Sequence, residues 1–153
     1  MHRRRHRPKG RYLEHTTGVR VRFSEVDSLR IVWHGHFLKY FEDGRGAFGQ
    51  KYGFSYQDFL NAGLIVPVVH TSCDHLQPAR YGDELAISTR LYEQEAAKIF
   101  YYYEVTRAAD GALLATGETI QAFLDTNLVL LLTLPDFMRS FYDRWKEEML
   151  TYG

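Results

Sequence analysis

Residues 24–45 read SEVDSLRIVWHGHFLKYFEDGR, and the second half of this stretch opens the clearest helix pattern in the chain. Its first part, Ser24–Arg30, is polar and shows neither strand nor helix periodicity, so we predict a loop there. A helix is predicted over His36–Tyr52, because apolar and small residues recur every three or four positions and line one face. That face comprises Phe37, Tyr40, Phe41, Gly44 and Phe48. Glycines weaken a helix, so burial against another element must stabilise this one.

Strand patterns dominate the rest of the chain. Gly18–Phe23 alternates apolar and polar residues, as a half-buried strand does. Four more strands are predicted within 64–76, 84–93, 99–106 and 113–124, with Asp110-Gly111 as a hairpin turn and 128–132 as an extension of the sheet. A capping-box pattern predicts a short helix after Ser55, and Pro135–Leu150 predicts an amphipathic terminal helix. Strands that do not alternate with helices favour an antiparallel sheet packed on the long helix, so the predicted fold class is α+β.

The composition suits one ordinary globular domain. The chain has 153 residues, and lysine plus arginine equal aspartate plus glutamate at 19 each. A formal charge of zero argues against a general polyanion binder. The longest apolar run, Leu128–Leu132, is far too short to cross a bilayer, so no membrane span is expected. The single cysteine, Cys73, cannot form an intramolecular disulfide, which fits a cytoplasmic protein.

The first residues differ from the remainder. Residues 1–12 begin MHRRRHRPKGR and are basic, with almost no apolar side chains. We interpret them as a flexible arm, which leaves residues 13–150 as a single domain. The alternative is that the arm contacts phosphate groups.

Three separated blocks of sequence agree with one enzyme signature. The first block matches at Asp27, Ile31, Val32, Trp33, His34, Phe37, Tyr40, Glu42 and Arg45. The second is Val66-Pro67-Val68-Val69 and the third is Pro78–Leu85. Over about Val19–Leu124 the chain resembles the hot-dog thioesterases of the 4-hydroxybenzoyl-CoA thioesterase and YbgC-like family. The resemblance implies a hot-dog fold, in which a curved antiparallel sheet wraps around one long helix, here with an additional C-terminal helix.

The resemblance also implies a reaction, the hydrolysis of an acyl-CoA thioester to a carboxylic acid and CoA. Such a reaction needs a nucleophile or an activated water, and donors for the developing oxyanion. In the family pattern Asp27 is the nucleophile or the general base, and the sequence leaves both routes open. His34 would position Asp27, water or the thioester, while the amides of Ile65 and Val66 polarise the carbonyl. Val32 is expected to lie at the substrate.

No metal or cofactor is expected, because CoA is part of the substrate. His34-Gly-His36 offers two histidines, whereas zinc usually has at least three protein ligands. The family forms dimers through a continuous sheet, often paired into tetramers, so we expect a homodimer or homotetramer. Asp27 of one chain would then face the Ile65–Val66 amides of another. Arg80 or Arg90 could neutralise the CoA phosphates, on charge alone.

Two positions depart from the signature. Glu25 stands where an aspartate is common, and Arg30 stands where a glycine is usual. Glycine allows positive φ, so Arg30 either changes the loop path or is an addition near the substrate. Glu42 and Arg45, three apart on the helix, are expected to form a structural pair.

Three alternatives stay open. An acyl-acyl carrier protein thioesterase would use the same chemistry with a protein docking surface. A non-catalytic acyl-CoA-binding module would bind without turnover. Nucleic-acid binding through the basic arm is the least favoured of the three, because the chain as a whole has no net charge.

Overall fold

The computed structural model describes residues 7–152, which form one antiparallel sheet and three α-helices. Along the chain the elements are β1 (Gly10–Arg20), α1 (His36–Tyr52), α2 (Tyr56–Asn61), β2 (Val68–His75), β3 (Glu84–Tyr92), β4 (Lys98–Arg107), β5 (Leu113–Ala122), α3 (Asp136–Trp145) and β6 (Leu150–Tyr152). The strands lie in the order β2-β5-β4-β3-β1-β6. The α+β prediction is confirmed, and the bounds of α1 are those the sequence predicts.

The sheet packs around α1. All five residues of the predicted apolar face are buried, and Gly49 joins them. Phe41 stacks on Tyr103 of β4, with ring centroids 4.5 Å apart and planes 9° from parallel. A side chain at Gly44 would overlap Thr89 and Ile87 of β3. The small residue therefore allows the close approach between helix and sheet that the sequence predicts.

The first strand differs from its prediction. β1 runs over Gly10–Arg20 and pairs with β3 from Tyr12↔Tyr92 to Arg20↔Glu84, so Gly18–Phe23 captured only its end. Residues 23–25 form a 3-10 turn instead. The arm boundary at residue 12 is wrong, because residues 10–12 pair in the sheet. Arg7 reaches Glu104 of β4 at 2.6 Å. The rest of the predicted arm, residues 1–6, lies outside the described residues.

The end of the chain also departs from expectation. Residues 128–132 do not form a strand and contribute only an isolated bridge, Leu124↔Leu130. The terminal helix α3 ends at Trp145, not at residue 150, because Leu150–Tyr152 pairs with the edge of β1. The short helix is confirmed: Ser55 caps α2, and its N–H donates to Asp58 Oδ2 at 2.8 Å.

The outer strands of this sheet are β2 and β6. β2 exposes Val68 and Val69, and its bulge falls between Val68 and His70. Segment 128–132 exposes Leu128, Val129, Leu130 and Leu132. The sheet therefore ends at β2 in an unpaired edge strand with exposed valines. Among the described helices, none has the length and apolar character needed to span a membrane.

Candidate active site

Asp27 lies in a tight turn between two short bridged segments. Val26 pairs with Val32, and the Asp27 N–H donates to the Ile31 carbonyl at 2.9 Å. The Asp27 Oδ1 accepts the Leu29 N–H at 2.8 Å. Its other carboxylate oxygen, Oδ2, accepts no hydrogen bond from residues 7–152. The side chain is half-buried, so one oxygen fixes the turn and the other is free for chemistry.

Arg30 adopts the backbone conformation that a glycine would favour. Its φ is +64°, in the left-handed region. An L-residue there costs roughly 1–2 kcal/mol, yet the turn still closes, with the Arg30 N–H donating to the Asp27 carbonyl at 2.9 Å. The arginine therefore keeps the left-handed turn that the signature's glycine implies. Its side chain is exposed beside Asp27.

Glu25, the other departure from the signature, has a structural role. Its Oε1 accepts the Arg22 N–H at 2.7 Å and the Tyr40 hydroxyl at 3.2 Å. Burial, together with the negative charge of Glu25, raises the pKa of Tyr40. Glu25 thus ties the 3-10 turn to α1, immediately before the Asp27 turn.

His34 lies exposed just before α1, next to a histidine that the sequence did not assign. Its ring centroid is 4.9 Å from that of Trp33 and 6.1 Å from that of His75, at the end of β2. Burial lowers the pKa of His75, and the proximity of His34 adds to this effect. Within the described chain no hydrogen bond joins His34 to Asp27, so positioning of Asp27 by His34 is not found there. A role toward water or the thioester stays a prediction.

Val32 is a core residue in this chain. Its side chain is 4% exposed within the main apolar core. Its N–H donates to the Ala79 carbonyl at 2.8 Å, which anchors the Asp27 turn to the segment before β3. Contact of Val32 with the substrate stays a prediction.

The two predicted amides have different environments. The Ile65 N–H donates to the Leu124 carbonyl at 2.9 Å, and the Leu124 N–H returns a bond of 2.8 Å. Within this chain the Ile65 N–H is therefore engaged, and its role toward the thioester carbonyl stays a prediction. Among the described residues, no oxygen accepts the Val66 N–H. The Val66 carbonyl accepts Gln121 Nε2 at 3.0 Å, which fixes this peptide.

Val66 borders a pocket of about 320 Å³ between α1, the start of α2 and the strands β4 and β5. Its lining combines aromatic, apolar and polar groups: Glu42, Arg45, Gly46, Gln50, Phe54, Ser55, Tyr56, Phe59, Val66, Tyr101 and Gln121. Asp27 and His34 are absent from this lining. Within one chain, the predicted catalytic carboxylate of Asp27 therefore does not line the pocket that Val66 borders.

Arg45 does not form the predicted pair with Glu42. Its Nη1 donates instead to the Tyr103 hydroxyl at 3.1 Å. That hydroxyl also lies 2.5 Å from Thr119 Oγ1. Burial raises the pKa of Tyr103 to about 12, although Arg45 opposes the shift, so the hydroxyl is neutral near pH 7. The sequence missed this contact because Tyr103 is distant in the chain.

The structure also gives the environments of the two arginines proposed for CoA phosphates, of Cys73 and of the potential metal ligands. Arg90 is buried, bonded to Glu14 at 3.1 Å and lying 4.8 Å over the Tyr12 ring, so it is not free for CoA phosphates. Arg80 is exposed. Cys73 is a free thiol whose pKa burial raises to about 11. Across the part of the chain that the structure describes, no three His, Cys, Asp or Glu side chains converge as a metal site would require.

Comparison with known structures shows the same fold elsewhere. A 1,4-dihydroxy-2-naphthoyl-CoA thioesterase from Synechocystis superposes with a TM-score of 0.77 at 21% identity, covering 87% of this chain and 98% of that one. A 4-hydroxybenzoyl-CoA thioesterase mutant, crystallised with 4-hydroxybenzoyl-CoA, gives 0.72 at 20% identity, covering 84% and 97%. These likenesses confirm the hot-dog fold.

Sequence comparison shows the family. The putative acyl-CoA thioesterase YneP of Bacillus subtilis is 31% identical over 91 residues, which span 60% of this chain and 66% of that protein, just under two thirds. The 1,4-dihydroxy-2-naphthoyl-CoA hydrolase of Synechocystis is 26% identical over 100 residues, 65% of this chain and 72% of that protein. The model of the Thioesterase-like superfamily matches residues 21–141. This chain belongs to the Thioesterase-like superfamily.

Proposed function

We propose that this protein is an acyl-CoA thioesterase, which hydrolyses its substrate to a carboxylic acid and CoA. The observation that carries the proposal is that Val66, whose N–H has no acceptor among the described residues, lines a pocket of about 320 Å³. This volume lies at the lower end of the range for small-molecule sites, roughly 300–1,000 Å³. Superfamily membership, and relatives named as acyl-CoA thioesterases, support the same reaction.

The Val66 amide is the proposed oxyanion donor. A donor that is already fixed in place stabilises developing negative charge without reorganisation during the reaction. Gln121 fixes the Val66 peptide through its carbonyl, and Pro67 follows directly and restricts its backbone. The Val66 peptide is thus held in one orientation.

Asp27 is the proposed catalytic carboxylate, by either of two routes. As a nucleophile, its carboxylate attacks the thioester carbonyl, the C–S bond breaks and CoA leaves as the thiolate. Water then hydrolyses the mixed anhydride and regenerates Asp27. As a general base, Asp27 instead takes a proton from a water that attacks the carbonyl. The unbonded Oδ2 suits both routes, and His34 is proposed to orient the water or the thioester.

We propose that two chains assemble each active site. Asp27 and the Val66 pocket are separate within one chain, so a second chain must supply the carboxylate. β2 is an edge strand with exposed Val68 and Val69. Pairing β2 with its symmetry mate would continue the sheet and cover this surface. The proposed assembly is a homodimer, or a homotetramer of two such dimers.

The proposed reaction requires no metal and no cofactor besides the CoA of the substrate. We place the enzyme in the cytoplasm, which the free thiol of Cys73 supports, because secreted small domains commonly pair their cysteines.

Thiol release from a panel of acyl-CoA thioesters tests the proposal. Each acyl group is also presented on acyl carrier protein, since one relative is named as an acyl-acyl carrier protein thioesterase of Arabidopsis thaliana. We expect faster release from CoA than from the carrier protein. Faster release from the carrier protein would instead assign acyl-acyl carrier protein thioesters as the substrate class. Binding of acyl-CoA without any thiol release would show a non-catalytic module and overturn the proposal.

A further inference from the structure

Arg45 brings a positive charge into the pocket, and no ion pair joins it to another described residue. The side chain is half-buried and lines the pocket. A guanidinium has five N–H donors, and the recorded bond uses one of them, to the Tyr103 hydroxyl at 3.1 Å. Within residues 7–152 no Asp or Glu oxygen lies within ion-pair distance of Arg45. A half-buried guanidinium with unused N–H donors is able to bind an anion that enters the pocket.

The protein fixes the direction of this cation but does not neutralise it. The Tyr103 ring stacks on Phe41, and its hydroxyl is held between Arg45 and Thr119. Because burial keeps Tyr103 protonated near pH 7, its hydroxyl cannot act as the counter-ion. Glu42 also lines the pocket, but it is exposed to solvent and forms no ion pair with Arg45. Charge compensation for Arg45 must therefore come from outside the chain.

We propose that the pocket selects an acyl group whose far end carries a carboxylate, which Arg45 binds. The inference rests on the proposed thioesterase function. Arginine binds carboxylates through two parallel N–H bonds, and its planar group makes this recognition directional. The thioester end lies at the Val66 amide and the carboxylate end at Arg45, since both residues line the same pocket.

The other lining residues indicate which spacer can join the thioester to the terminal carboxylate. Phe54, Phe59 and Tyr101 supply aromatic walls, and the volume of about 320 Å³ lies at the lower end of the range for small-molecule sites. A short or aromatic spacer fits these walls. The substrates are therefore CoA monothioesters of small dicarboxylic acids.

The test compares matched thioesters that differ only in the terminal group. One pair is para-carboxybenzoyl-CoA and para-methylbenzoyl-CoA, and the second is glutaryl-CoA and pentanoyl-CoA. Values of kcat/KM are measured for wild type, Arg45→Met and Arg45→Lys. Arg20→Met is the matched control, because Arg20 is exposed on β1, outside the pocket, and carries the same charge.

In at least one pair we expect the wild-type kcat/KM to be about tenfold or more higher for the thioester that carries the carboxylate. This ratio corresponds to one charge-assisted hydrogen-bonding contact. Arg45→Met abolishes this ratio, Arg45→Lys keeps part of it, and Arg20→Met leaves it unchanged. Equal or faster turnover of both neutral thioesters by wild type overturns the inference alone, and so does a ratio that survives in Arg45→Met. Hydrolysis of none of the four thioesters overturns the inference, and thiol release from the wider acyl-CoA panel decides the proposed function separately. If Arg45→Met does not fold, the wild-type ratio of kcat/KM within each matched pair still shows whether the enzyme prefers a terminal carboxylate.

Discussion

Asp27 and Asp125 occupy the same position in two copies of one turn. In each copy Oδ1 accepts the N–H two residues later at 2.8 Å. In each the aspartate N–H donates to the carbonyl four residues later at 2.9 Å, and the third following residue has a φ of +64° or +63°. The local geometry of Asp27 is therefore explained by the turn. Its proposed chemistry depends on where the fold places that turn.

The left-handed residue of the Asp27 turn gives a first prediction. We expect Arg30→Gly to change the free energy of unfolding by less than about 1 kcal/mol, because relief of strain offsets the added entropy of the unfolded chain. Arg30→Val should destabilise by about 1–2 kcal/mol, since a β-branched residue resists positive φ. Urea denaturation measures both. Arg20→Val is the control, because its strand position suits valine. A stable Arg30→Val would contradict the conformation assigned to this turn.

A second prediction concerns the bond from Gln121 to the Val66 carbonyl. Gln121→Leu removes the donor and leaves this carbonyl unpaired at the pocket wall. We expect a loss of roughly 1–3 kcal/mol in the free energy of unfolding, and a fall in kcat for thioester hydrolysis. Gln57→Leu is the control, because Gln57 bonds only to Asn61 on the exposed face of α2. Unchanged kcat in a folded Gln121→Leu protein would show that the peptide needs no such support.

Buried tyrosines set the alkaline limit of stability. Burial raises the pKa of Tyr103 and of Tyr142 to about 12, above the unfolded value of 10.0. Between these values the folded state holds the phenolic protons more tightly, so stability is fully present below pH 10 and falls as pH rises toward 12. Urea denaturation across this range, with tyrosinate absorbance, should show the decline. Titration of all tyrosines near 10 in the folded protein would contradict it.

Assembly of the site from two chains can be tested by subunit mixing. Asp27→Asn lacks the proposed carboxylate, and Val66→Pro lacks the proposed N–H donor. Each variant alone should be inactive. After dissociation and reassembly of an equal mixture, we expect about a quarter of wild-type activity, because half of the dimers are mixed and each regains one of two sites. No recovery, with mixed dimers present, would place Asp27 and Val66 in the same chain's site.

The sequence predicted local features well where one pattern controlled them. The α1 stripe and the capping box at Ser55 depend on spacing alone, and both are confirmed. The start of β1 was missed because Tyr, His and Thr side chains obscure the alternation that its pairing with β3 imposes. β6 was not predicted, and its first residue, Leu150, was assigned to the terminal helix, because the pairing of β6 with β1 is a long-range contact that the local pattern does not show.

The candidate site was less predictable, for the same physical reason. The signature pointed to Ile65 and Val66 together, but pairing of Ile65 with Leu124 leaves only the Val66 N–H free. Helix spacing placed Arg45 beside Glu42, whereas Tyr103 on β4 accepts a hydrogen bond from Arg45. Both differences arise from contacts between residues more than fifty positions apart, which one sequence does not encode as a spacing.

The most direct measurement compares thiol release by Asp27→Asn with that by Asp125→Asn. Asparagine keeps an Oδ1 acceptor for the turn in both variants, so only the charge and basicity of the carboxylate are lost. We expect Asp27→Asn to lose at least about 100-fold in kcat, about 2.7 kcal/mol of barrier, and Asp125→Asn to stay within about threefold of wild type. Equal activity of the two variants would contradict a catalytic carboxylate at position 27.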